Sequence, residues 1–111
     1  MIIAHRVLTL RTETGAIKIV IRVFAPTEDS NGSWFCRYEI EWPDRPSDQR
    51  VGGADSLQAL VLALQTIGAE IYSSNFHQSG KLFSGKPGEG YGFPVMPSLR
   101  HLLQGEDKKY L

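Results

Sequence analysis

The chain has a single cysteine, no excess of either charge and no long apolar run, and each lack excludes something. Cys36 alone cannot close an internal disulfide, so packing has to hold the fold, and a free thiol fits a reducing compartment. Lys and Arg together number 12, as do Asp and Glu. Nucleic-acid binders carry a basic excess that displaces counterions, so no nucleic-acid partner is expected. The longest apolar run, "ALVLAL" at 59–64, falls far short of the roughly 20 residues of a membrane span. The first residues, "MIIAHRVLTLRTETG", lack the basic start and apolar stretch of a secretion signal. The expectation is a cytoplasmic protein with no membrane partner.

What is present suffices for one domain over residues 1–111. At 41% hydrophobic and 22% charged, the composition is that of a globular chain able to bury a core without metals or disulfides. Residues 3–12 and 16–24 alternate as strands do, Leu8 and Leu10 on one face and Val7, Thr9 and Arg11 on the other. In the second run Ile17, Ile19, Ile21 and Val23 share a face. A two-residue turn at Glu13-Thr14 sets Leu10 against Ile17 and Leu8 against Ile19, whereas a three-residue turn would mix the faces. "SWFCRYEIEW" (33–42) puts Trp34, Cys36, Tyr38, Ile40 and Trp42 on one face, with Phe35, Arg37, Glu39 and Glu41 opposite. Closing the loop 25–33 symmetrically predicts Ile21 opposite Cys36 and Lys18 opposite Glu39. Gln49–Val51 is a short edge strand in this reading.

Asp55 with Gln58 predicts a helix start. Leu57, Leu60, Val61, Leu64, Ile67, Ile71 and Tyr72 then fall in one arc, with Gln58, Gln65, Thr66, Glu70 and Ser73 on the far side and Leu62 as a misfit there. After residue 75 the pattern turns irregular, with a short strand at Lys81–Ser84. "PSLRHLLQG" (97–105) reads as a short C-terminal helix capped by Ser98, and 105–111 as a tail that frays. The fold class expected is α+β. An antiparallel meander of three to four strands carries one long helix on its apolar face, followed by a Gly/Pro-rich loop and the short helix.

That loop, "SGKPGEGYGFP" (84–94), invites a phosphate-binding reading that its context denies. "GKL" and "GKP" lack the Ser/Thr of a phosphate loop, no helix starts after either, and "GEGYG" follows no βαβ unit. No nucleotide or other cofactor is expected. The loop reads instead as a connector anchored by Tyr91 and Phe93, with Ser84–Glu89 as its mobile half. His5, His77 and His101 are isolated, so no metal site is expected. Glu39 and Glu41, about 7 Å apart on one strand face, suit paired-carboxylate chemistry less than an ion-pair ladder with the cations opposite. No catalytic constellation emerges. The candidate binding groups are Lys81, Lys86, Glu89 and Tyr91, around a groove between the long helix and the 76–94 loop. Leu62, Phe35 and Val20 are the candidate interface residues, for a protein partner or a homodimer.

"GSWFCRYEIEWP" (32–43), "DSLQALVLALQTIGAEIYSS" (55–74) and "GYGFPV" (90–95) together resemble a family of small bacterial proteins carrying a domain of unknown function. The likeness extends over nearly the whole chain and implies one compact domain without bringing an activity. Two readings follow. The first is a non-enzymatic protein-interaction domain, immunity- or adaptor-like. The alternative is a small-molecule binder or enzyme using the groove beside the 76–94 loop.

Overall fold

A computed structural model describes residues 1–111. Strand β1 (Ile2–Thr12) turns at Glu13-Thr14 into β2 (Gly15–Phe24), and Leu10 meets Ile17 and Leu8 meets Ile19. The two-residue turn therefore sets the register the alternation requires. Strand β4 (Trp34–Ile40) pairs antiparallel with β2 through Ile21–Ile40, Arg22–Glu39 and Val23–Tyr38. The expected pairs Ile21–Cys36 and Lys18–Glu39 are not formed. The loop between these strands is not a symmetric closure: it contains β3 (Thr27–Glu28), which pairs with Phe35 and Trp34 of β4 before the chain turns. Asp29 shapes that turn by accepting the N–H groups of Asn31 at 2.9 Å and Ser33 at 3.0 Å. The extra pairing slides β2 along β4 by an even number of residues, so every side chain keeps its face.

Strand β5 (Ser47–Gly53) extends the short Gln49–Val51 edge strand in both directions and pairs along the whole of β4. β2 and β3 consequently share the opposite edge of β4. Strand β6 (Leu82–Phe83) adds to β1 only at Thr9 and Leu10. The result is an antiparallel sheet with helices, an α+β fold.

Helix α1 (Ser56–Ser73) starts where expected. The Asp55 carboxylate accepts the Gln58 N–H at 2.7 Å, while Gln58 Oε1 reaches back to the Ala54 N–H at 2.6 Å. Its buried face is Ala59, Ala63, Ile67, Gly68, Ile71 and Tyr72, rotated from the leucine-rich arc. Leu57 and Val61 are exposed, at 67% and 42%, and Leu60 and Leu64 are half-buried. The small residues win because they let the backbone approach. A Cβ on Gly53 of β5 would lie 2.3 Å from the Ala59 nitrogen, and one on Gly68 would lie 2.0 Å from the Pro94 carbonyl oxygen. Close approach to β5 and to the chain at Pro94 takes precedence over covering the larger leucines.

Because α1 lies over β4 and β5, other chain must complete the core over β1 and β2. Leu82, Tyr91, Phe93, Val95 and Leu103 join the same buried cluster as Leu8, Leu10, Ile19 and Ile21. Besides β3, two helices lie beyond the sequence reading. A short helix α2 (Asn75–Gln78) is capped by Ser74 Oγ, which accepts the His77 N–H at 3.1 Å. The segment expected to fray is instead helix α3 (Gly105–Tyr110), with Asp107 buried. The helix expected at 97–105 is a 3-10 helix over Pro97–Leu102 with no side-chain cap from Ser98. No helix is long and apolar enough to cross a membrane.

Candidate functional site

The four binding candidates do not converge. Lys81, Lys86 and Glu89 are exposed, whereas Tyr91 is fully buried. None of the four lines any of the three cavities in the chain. The interface candidates separate too. Phe35 and Val20 are half-buried on the outer sheet face, Phe35 beneath the Arg50 guanidinium at 3.9 Å, and Leu62 lies on the helix that covers the other face. The outer face also carries the ion-pair ladder: Arg22 with Glu41 at 2.7 Å, and Arg37 with Glu39 and Asp48, each at 2.8 Å. Arg37 holds the Asp48 carboxyl below its usual range, mainly through that hydrogen bond.

Tyr91 belongs to a buried polar network. The Asp107 carboxylate accepts from the Tyr72 hydroxyl at 2.6 Å and from the backbone N–H groups of Tyr91 and Gly92, at 2.7 and 2.8 Å. The Tyr91 hydroxyl shares a 2.5 Å hydrogen bond with His77 Nδ1, and the Tyr72, His77 and Tyr91 rings meet edge to face. Burial pushes the Tyr91 phenol up to about 12 and lowers His77 below its ordinary value. Acid–base chemistry requires a substrate within hydrogen-bond reach, and neither the Tyr91 hydroxyl nor Asp107 faces a cavity. The network secures the loop.

A second carboxylate is tied in the same manner. Glu70 accepts from the Tyr38 hydroxyl at 2.6 Å, Trp42 Nε1 at 2.8 Å and Ser47 Oγ at 3.0 Å. Helical periodicity assigns Glu70 to the solvent side. Its three donors bring it to the sheet instead, because buried hydroxyl and indole groups need an acceptor.

Two features beside β1 are open to a partner. The first is the free edge of β1. Val20, opposite Val7, accepts the Glu41 N–H through its carbonyl at 2.9 Å, so its polar groups point toward β4 and away from β1. In an antiparallel pair the opposite residue then points its own N–H and C=O outward. Val7 and His5 therefore present unpaired backbone groups along the edge, beyond the end of β6. Ile2, Ile3 and Val7 are 49%, 46% and 42% exposed there.

The second is a cavity of about 170 Å³ on the inner face, between β1, β2, α1 and the loop. Its apolar wall is Ala4, Ile21, Val23, Leu64 and Phe93, and its cation is Arg6. Arg6 shares the face of Leu8 and Leu10, so the strand period was the signal that could have singled it out: a cation on a core face. Arg6 Nη1 donates to the Tyr91 carbonyl at 2.7 Å, and the guanidinium lies 5.6 Å from the centre of the Phe93 ring. Gly92 makes this possible. Its φ of +84° disfavours a side chain, and a Cβ there would fall 1.6 Å from Arg6 Nη1.

No curated protein and no solved structure matches the chain. The family match begins at Ala4 and ends at Val95, so it takes in Arg6, the cavity wall and the anchored loop but not Asp107. Over residues 4–95 the chain belongs to the family described as a domain of unknown function, DUF6968.

Proposed function

We propose that the chain is a small, non-enzymatic protein-interaction domain of the cytoplasm, immunity- or adaptor-like in kind, which takes an extended segment of a partner onto the β1 edge. The observation that carries this reading is the row of outward backbone groups at His5 and Val7, flanked by exposed Ile3 and Val7 side chains. Strand edges of this kind are recognised by strand addition, in which main-chain bonds supply affinity and alternate side chains supply specificity. The opposite edge, β5, is blunted by exposed Asp48, Gln49 and Arg50 and ends in Gly52-Gly53.

Charge selects the occupant. Between Ile2 and Thr12 the strand carries His5, Arg6 and Arg11 and no carboxylate. Two copies edge to edge would set cation against cation, whereas a segment alternating apolar and acidic residues complements both features. The test measures amide exchange at His5 and Val7 with a peptide of alternating valine and glutamate, beside one of valine and lysine. The acidic peptide should protect both amides, the basic one should not, and Val7→Pro, which removes the amide at position 7, should abolish protection at His5. Unchanged exchange, or protection that survives Val7→Pro, refutes strand addition. Sedimentation of the free chain as a dimer at micromolar concentration, with the same amides protected, would replace the partner by a second copy.

A further inference from the structure

The geometry points to the Arg6 cavity as a binding site for a small monocarboxylate whose apolar body fills the space beneath β1 while its carboxylate sits on the arginine. The site adjoins the strand edge, with His5 common to both, but it opens on the inner face and draws on the Arg6 guanidinium and the apolar wall rather than on outward backbone groups.

Three observations meet here. The cavity measures about 170 Å³, and a dry apolar cavity of about 150 Å³ is enough to hold benzene. A body of about six carbons therefore fits against Ile21, Val23, Leu64 and Phe93. Next, Arg6 is held rather than free. Nη1 is bonded to the Tyr91 carbonyl and the guanidinium carbon lies over the Phe93 ring. A fixed guanidinium has already lost much of the side-chain freedom that binding would otherwise remove.

Last, the arginine has binding capacity left over. The ion pairs of the chain all lie among Arg22, Arg37, Glu39, Glu41 and Asp48 on the outer face, and Arg6 takes part in none. Its Nε and Nη2 make no hydrogen bond within the chain; only Nη1 does. Holding one carbonyl requires one N–H, whereas the guanidinium presents five in a fork that matches a carboxylate. A cation of this kind beside an apolar wall suits a ligand with one acidic end and one greasy end. A second carboxylate reaching the far wall would lie against Ile21 and Val23, where burying a charge is costly.

The experiment titrates the isotopically labelled chain with benzoate, hexanoate and, as an uncharged control, benzyl alcohol, following backbone amide shifts. Benzoate or hexanoate should move the amides of Val23, Leu64 and Gly92, with benzyl alcohol binding at least tenfold more weakly. Arg6→Met should reduce the acid to the level of the alcohol. Because Arg6→Met also loosens the Tyr91 carbonyl, Leu64→Phe serves as a second variant. It fills the apolar end without touching the arginine and should abolish binding of acid and alcohol alike. Equal affinity for benzoate and benzyl alcohol, shifts confined to other regions, or no shift at millimolar acid would each overturn the assignment.

Discussion

Arg6 and Asp107 hold the two ends of one peptide group. The arginine donates to the Tyr91 carbonyl at 2.7 Å, and the aspartate accepts the Gly92 N–H at 2.8 Å. A trans peptide points these groups in opposite directions, so the first strand and the last helix grip the loop from either side. The loop is thereby tied at its Tyr91 end, where the aromatic rings are buried.

Asp107→Ala should destabilise the chain by about 3 kcal/mol or more, since it strands the N–H groups of Tyr91 and Gly92 and the Tyr72 hydroxyl. Lys108→Ala, on the exposed side of the same helix, should change stability by less than about 0.5 kcal/mol. Urea unfolding of both variants measures the difference. Equal midpoints would mean that α3 is a loose tail.

Glu70→Ala separates the helix face read from periodicity from the one in the fold. A solvent-side glutamate would be worth less than about 0.5 kcal/mol, whereas loss of the acceptor for Tyr38, Trp42 and Ser47 should cost about 2–4 kcal/mol. Thermal melts of wild type and variant distinguish the two.

The strand register is open to a double-mutant cycle. Arg22 and Glu41 should couple by up to about 1 kcal/mol, as an exposed but close pair does, and Lys18 with Glu39 should not couple at all. Coupling of Lys18 with Glu39 instead would restore the symmetric loop closure.

His77 gives stability a pH dependence of known sign. Burial lowers its folded-state value, so on acidification the unfolded chain takes up the proton first. Its contribution is complete above the ordinary histidine value of about 6.5 and is lost as pH falls from there through the depressed folded value. The phenols of Tyr72 and Tyr91 around it, raised by burial, do not titrate in that range. The urea midpoint of wild type should fall between about pH 7.5 and about pH 5.5, and His77→Gln should flatten the fall. An identical slope in the variant would assign the dependence to other groups.

Local chemistry sufficed for part of this. Period-two alternation defined β1, β2 and β4, the Glu13-Thr14 turn aligned Leu8 with Ile19, and Asp55 with Gln58 opened α1. The aromatics of the Gly/Pro-rich loop were legible as anchors because eleven ordered residues need buried surface to offset lost entropy, and Tyr91 and Phe93 are indeed buried. Each of these rests on neighbours within a few residues.

Tertiary structure decided what depends on contacts between distant segments. The pairing of β3 with β4 moved the β2 register, since a two-residue strand has too little pattern to be read alone. Close approach at Gly53 and Gly68 turned α1 onto its alanines and brought Glu70 to Tyr38 and Trp42. The burial of Asp107 and the idle fork of Arg6 both follow from one peptide group that only the folded chain places between them. A charge in a polar tail and a charge in a strand look like solvated groups in sequence, because partners from 15 to 85 residues away leave no local periodicity.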